Sequence, residues 1–152
     1  MRNVTLSFGP KVIQHEVSFD VQRGSIFAVM GGSGCGKSTV LKSMIGLLRP
    51  RAGHFLIEGE DYWSATEAQR IDIGRQRFGV LFQSAALWSA MTVGSNVALP
   101  LQMFTRLDAH AIRRLTRVKL ALVGMDHAID QFPAELSGGM RKRAGLARAL
   151  AL

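Results

Sequence analysis

Apolar and polar residues alternate through Val4, Leu6 and Phe8, and again through Val17, Phe19 and Val21. A period of two lines one face of an extended chain, so both segments are predicted as half-buried strands. Gln22–Gly24 reads as a turn. Ser25–Met30, SIFAVM, is a short and mostly apolar run that predicts a more deeply buried strand. A glycine-rich stretch follows from Gly31 to Gly36. The period then changes, and Lys37 to Leu47 predicts a helix with Val40, Leu41, Met44 and Leu48 along one side. The run RPRAG breaks it. His54–Glu60 predicts a strand leading into a turn, residues 64–77 are polar and helical at best, and Phe78–Phe82 is a further short apolar strand.

From about Thr92 onward the patterns are helical. Asp108 is placed to cap a helix whose apolar face carries Ile112, Leu115, Val118 and Leu122, with Gly124 just past its end. Ser137 is placed to cap the last helix. A strand-rich first part thus leads into a helical second part, with no internal repeat and no low-complexity tract.

Composition narrows the class. The 152 residues, 47% of them hydrophobic and 20% charged, suit one globular domain or part of one. The formal net charge of +8 suggests an anionic partner. Basic residues cluster at Arg113, Arg114, Arg117 and Lys119 and at Arg141, Lys142 and Arg143, but no basic run is interleaved with aromatics, so nucleic acid is not expected. The single cysteine, Cys35, excludes an internal disulfide and a multi-cysteine metal site, and fits a reducing, cytoplasmic setting. The first residues lack the apolar core of a signal peptide. No stretch reaches the ~18–20 apolar residues of a membrane span, so a membrane role is expected to run through a partner.

The strongest chemical signal is GGSGCGKST, Gly31 to Thr39. It fits the phosphate-loop pattern G-x-x-x-x-G-K-[ST] with Gly31, Gly36, Lys37 and Ser38 at the fixed positions. Triphosphate oxygens need several donors converging on a small volume. Glycines let backbone amides approach closely, and the helix N-terminus adds its positive end. Lys37 is expected to neutralise the β- and γ-phosphates, Ser38 to ligate Mg²⁺, and Thr39 to donate to an α-phosphate oxygen. Gly32, Ser33, Gly34 and Cys35 complete the loop. Cys35 reads as a tolerated small residue rather than a nucleophile, although alkylating it should block nucleotide entry. This loop alone fits a kinase, a GTPase or a motor equally well.

Three further features narrow the choice. Leu136–Met140, LSGGM, resembles the LSGGQ signature of ABC-type ATPases. Gln83, after the apolar run Phe78–Phe82, stands where that family has its Q-loop glutamine. Phe8 occupies the place of the aromatic residue that stacks on adenine. The order and spacing of these features are similar to the family along the entire chain. The resemblance implies an α/β P-loop NTPase fold, with an N-terminal antiparallel β portion, a partial RecA-like core and an α-helical subdomain. Residues 1–85 would form the β-rich and phosphate-loop portion, and 86–152 the mostly helical subdomain with the signature. The short insert between Gln83 and Leu136 resembles that of transporter subunits rather than of coiled-coil relatives. ELSGGMRKRAGLARALA, with Met140 for the usual Gln, and Gly79–Leu101 look most like the ATPases of Mce-type phospholipid transporters, the bacterial toluene-tolerance type. Ser95 departs from the Glu many relatives carry in TVxENV.

What the resemblance implies is an ATP-binding subunit at the cytoplasmic face of the bacterial inner membrane. Two such subunits would sandwich ATP and Mg²⁺ and act with a membrane permease and an Mce-type lipid-binding protein. Ser137, Gly138 and Gly139 would face the ATP of the partner subunit. Gln83 would sense the γ-phosphate, Mg²⁺ or the attacking water. For Phe8, adenine stacking stands beside an ordinary core position. For Trp88, with Leu87 and Met91, a groove for the membrane subunit stands beside burial within the domain.

The family also places an apolar strand ending in Asp-Glu (Walker B) after the signature helix, and a switch histidine later. Neither is present: His15, His54, His110 and His127 all precede the signature. The chain is therefore expected to be the N-terminal part of such a domain, poorly soluble alone and with negligible ATPase activity. An importer ATPase for amino acids or metal ions, and a non-catalytic nucleotide-responsive product, are the alternative readings.

Overall fold

A computed structural model describes all of residues 1–152. The elements in chain order are β1 (Arg2–Phe8), β2 (Lys11–Val17), α1 (Lys37–Met44), β3 (Ala52–His54), β4 (Leu56–Ile57), β5 (Glu60–Asp61), α2 (Glu67–Arg77), α3 (Val93–Phe104), α4 (Ala109–Leu122) and α5 (Gly138–Ala149). Short 3₁₀ turns lie at Asp126–Ala128 and Pro133–Glu135. The chain divides into two compact units, Met1–Gly74 and Arg75–Leu152.

In the first unit β1 is the middle strand of an antiparallel sheet of order β2-β1-β3. Val4 and Leu6, as their alternation predicts, are fully buried. Val4 lies opposite Val17 and Phe8 opposite Lys11, with register shifts between them. β3 joins the other edge of β1 through pairs such as Thr5 with Ala52. There Gly53, at φ +86°, brings its backbone against Asn3, where a Cβ would lie 2.2 Å from the Asn3 carbonyl oxygen. The segment predicted as one strand from His54 is a separate two-stranded hairpin, β4 with β5. Phe55, Tyr62 and Trp63 pack beside it, with ring centroids 5.7 Å apart for Phe55 and Tyr62 and 5.2 Å apart for Tyr62 and Trp63.

Several expectations are corrected here. The second strand runs over Lys11–Val17, not Val17–Val21; Phe19 lies beyond it and stacks on Phe27 with centroids 5.0 Å apart. Ser25–Met30 forms no ladder and is exposed throughout, with Ile26 fully so. Phe78–Phe82 likewise forms no ladder. An apolar run has the composition of a buried strand, but a strand exists only where a neighbour accepts its backbone hydrogen bonds. The first helix ends at Met44, with Gly46 at φ +83°, and of its predicted apolar side Val40 is buried while Leu41 is half exposed.

The second unit is helical. Thr92 caps α3 by accepting from the Ser95 amide at 3.1 Å, and Asp108 caps α4 by accepting from the Ala111 amide at 2.7 Å. Gly124 follows α4 at φ +65°, the left-handed conformation that favours glycine at a helix end. Val93 and Val97 of α3, Leu120 of α4, Met125, Leu136, and Ala144 and Ala147 of α5 form the core. On α4 the buried side carries Ile112, Thr116 and Leu120, so Val118 and Leu122, predicted on the apolar face, are exposed.

Candidate nucleotide-binding site

The phosphate loop lies in the first unit and ends in α1. Gly36 is the residue before the helix, at φ +91°, and α1 has no side-chain cap. The first amides of a helix have no intrahelical acceptor, so this open end offers donors to an anion. A Cβ on Gly36 would lie 2.6 Å from Gln14 Nε2 and 2.8 Å from Ile13 Cγ2. Both the conformation and the space therefore require glycine. Gly31 is similar: a Cβ there would meet Cys35 Sγ at 2.8 Å. Gln14, on β2, donates through Nε2 to the Cys35 carbonyl, which fixes the loop to the sheet.

Lys37 folds back over the loop. Its Nζ donates to the Gly31 carbonyl at 2.8 Å and the Gly32 carbonyl at 2.6 Å, with Cys35 Sγ at 3.5 Å. These are neutral acceptors, so an arriving phosphate would offer the ammonium a stronger, charge-assisted bond. Ser38 and Cys35 are exposed, and Thr39 is buried. The donor set fits a polyphosphate. Phe8 ends β1 with 51% of its surface exposed, so it is not a core residue, and its ring is available for stacking.

The signature and Gln83 lie in the second unit. Ser137 caps α5, its Oγ accepting from the Met140 amide at 3.2 Å. Leu136 is buried in the helical core and Met140 packs against it, while Ser137, Gly138 and Gly139 stay exposed. The core thus holds the apolar ends of LSGGM and leaves its polar middle facing outward. Gln83 is exposed, on a turn.

Two residues that sequence reasoning missed hold that loop. Arg148, in the last turn of α5, donates to the Ala86 carbonyl at 2.7 Å and the Ala85 carbonyl at 2.8 Å. Burial lowers its guanidinium pKa from the ordinary value. Ala85 and Ala86 sit at φ +62° and +49°, a left-handed pair in which L-residues are strained. Asn96, fully buried on α3, accepts from the Trp88 amide at 2.7 Å. Its Nδ2 lies 3.0–3.1 Å from the carbonyls of Trp88, Met91 and Thr92. Trp88 itself is 63% exposed. The Arg148 bonds, 62 and 63 positions apart in sequence, leave no periodic trace. The only local hint was the position of Asn96, next to Ser95 in the capped start of α3.

The model of the ABC transporter family matches residues 14–152. The chain belongs to the ABC transporter family. It is 45% identical over all 152 residues to the "Probable ribonucleotide transport ATP-binding protein mkl" of Mycobacterium leprae, spanning 44% of that protein. It is 43% identical over the same 152 residues to the "Intermembrane phospholipid transport system ATP-binding protein MlaF" of Escherichia coli K12, spanning 56% of it. The chain therefore spans about half the length of these curated relatives. Among solved structures, the dimeric ATP-binding cassette MJ0796 in a post-hydrolysis state with ADP and Pi superposes with a TM-score of 0.90 at 29% identity, over 99% of this chain and 68% of that one. The α/β P-loop ATPase fold implied by the motifs is thus the fold of this cassette family member. No helix of the chain is long and apolar enough to cross a membrane.

Proposed function

We propose that this chain is the nucleotide-binding part of an ATPase subunit that drives phospholipid transport between bacterial membranes. The observation that carries the reading is the pairing, within one chain, of two differently built anion sites. One is the glycine-cradled start of α1, and the other is the Ser137-capped start of α5, anchored by Leu136 and Met140. Gly31 to Gly36 and Lys37 would hold the triphosphate of ATP, with Ser38 on Mg²⁺ and Thr39 on the α-phosphate. Phe8 would stack on adenine. Ser137, Gly138 and Gly139 would meet the γ-phosphate bound by a second copy. Trp88, held out by Asn96, would meet a membrane permease at the inner face of the inner membrane, with an Mce-type lipid-binding protein beyond it. Mg²⁺ would supply charge neutralisation when bound, and the chain's own residues would bind and orient the phosphates.

These residues contain no apolar strand ending in paired carboxylates after the signature. We propose that by themselves they bind nucleotide at most weakly and do not turn it over. The 43% identity to the phospholipid ATPase supports lipid as cargo, and the 45% identity to the mycobacterial protein gives ribonucleotide as the second reading. The full-length protein, reconstituted with its permease in vesicles, tests both. ATP-dependent movement of a fluorescent phospholipid, lost in Lys37→Ala, is expected. ATP-dependent ribonucleotide uptake without lipid movement would replace the lipid reading.

A further inference from the structure

Charge is distributed very unevenly between the two units. Residues 75–152 carry eleven Lys and Arg against four Asp and Glu, a net +7 of the chain's +8. The α4 helix concentrates this asymmetry. Its residues Ala109–Leu122 include no acidic side chain, and Arg113, Arg114 and Arg117 are exposed. The ion pairs of Arg2 with Asp20 and of Arg23 with Glu58 lie in the first unit, and Arg113, Arg114 and Arg117 form none. Three- and four-residue spacing brings the arginines beside one another on the helix, where like charges repel. The α4 helix itself supplies no carboxylate to relieve it, and Asp126 and Asp130, which line clefts with Arg117 and Arg113, form no ion pair with them.

Beside the cations the same outward side is apolar. Val118 is 53% exposed and Leu122 69% exposed, and Arg117, Val118, Ala121 and Asp126 line a shallow cleft of about 290 Å³. This side is turned away from Ile112, Thr116 and Leu120, which pack inward, and at its edge Arg113 lines a second cleft with Thr92 and Ser95. The cations are arginines. Arginine is enriched at protein interfaces and its fork matches a carboxylate, whereas a lipid-surface helix needs a wide apolar face with bulky anchors. Two isolated aliphatic residues and no aromatic ring do not make one.

We propose that the outer side of α4 is a docking surface for an acidic amphipathic helix of a partner protein. Its carboxylates would pair with Arg113, Arg114 and Arg117, and an aliphatic side chain would enter the cleft beside Val118 and Leu122. Helix-in-groove recognition with apolar anchors and a charged rim has this layout.

The test uses the full-length protein and a synthetic helical peptide with Glu at three- and four-residue spacing flanking two Leu. Fluorescence anisotropy at low and at physiological salt is expected to show saturable binding. Replacing Glu by Gln in the peptide, or Arg114→Glu with Arg117→Glu in the protein, should weaken it at least about tenfold. Both positions are exposed, so unchanged circular dichroism and melting confirm that the variant folds. In cells, a photocrosslinker at Val118 should capture a protein whose crosslinked segment is rich in Asp and Glu. Equal binding of the Gln peptide, tighter binding to phosphatidylglycerol vesicles or to duplex RNA than to the Glu peptide, or a crosslinked segment without acidic residues would each overturn the proposal.

Discussion

Removing the Arg148 guanidinium should release the loop that carries Gln83. The side chain makes two bonds, at 2.7 and 2.8 Å, to consecutive carbonyls whose residues are both left-handed. A hydrogen bond to a charged group contributes about 1.5–3 kcal/mol, so the pair would contribute about 3–6 kcal/mol if fully buried, and solvent screening at this partly exposed site discounts it to about 2–3 kcal/mol in total. The left-handed Ala85 and Ala86 cost roughly 1–2 kcal/mol each, a similar sum. The grip and the strain are therefore nearly balanced, and Arg148→Met should tip the turn out of its conformation. Local opening should rise about 30- to 150-fold, the equilibrium equivalent of that loss. Hydrogen exchange of the Ala85 amide, which donates to the Phe82 carbonyl at 2.9 Å, reads this directly. Arg148→Lys, with one compact donor, should fall between. Ala86→Gly removes part of the strain and should reduce the penalty of Arg148→Met. Exchange at Ala85 that stays within about twofold of the original, with α5 intact, would mean that packing alone holds the loop and that this balance is wrong.

Asn96→Ala deletes the bond that Oδ1 accepts and those that the two Nδ2 hydrogens share among three carbonyls of the Trp88–Thr92 loop, and should lower stability by about 2–4 kcal/mol in a urea titration, because the exposed loop regains only part of them from water. Gly36→Ala should weaken ATP binding to the full-length protein by more than about tenfold, whereas Gly34→Ala, also left-handed but with open space around it, should stay within about threefold; equal effects in calorimetry would remove the steric argument. The buried Thr116 hydroxyl has no partner, so Thr116→Val should raise the melting temperature by the equivalent of about 1 kcal/mol, and a lowered one would reveal a bond to water.

Legibility in the sequence followed the range of the interaction. Caps and phosphate loops are built by neighbours in the chain, so Asp108, Ser137 and Gly31–Ser38 could be read off directly, and the structure has the predicted caps in place. Alternation identified β1 because one of its faces is buried. It misplaced β2 and could not tell that Ser25–Met30 lacks a ladder, since hydrophobicity reports a preference for burial and says nothing of who supplies the hydrogen bonds. α2 was nearly invisible, since none of its residues is buried and so no apolar stripe marks it. Arg148 and Asn96 were missed for a different reason. Arg148 reaches a carbonyl 63 positions away, and an arginine in the last turn of a helix looks locally like dipole compensation.

The α5 helix joins two things that the sequence presents separately. It is unbroken from Gly138 to Ala149, so it is about 18 Å long. One end is the Ser137 cap and the other is the Arg148 fork. The loop also lies against its side, where a Cβ on Gly145 would meet the Ala85 Cβ at 2.9 Å, and against its end, where one on Gly79 would meet the Ala149 oxygen at 2.1 Å. A stiff rod with cargo at both ends behaves as a seesaw. A tilt of about 5° about its centre moves each end by roughly 0.8 Å in opposite directions, as much as separates a sound hydrogen bond from none. Whatever pulls on Ser137 is thus felt within one rigid element at Ala85 and Ala86, two and three positions along the chain from Gln83.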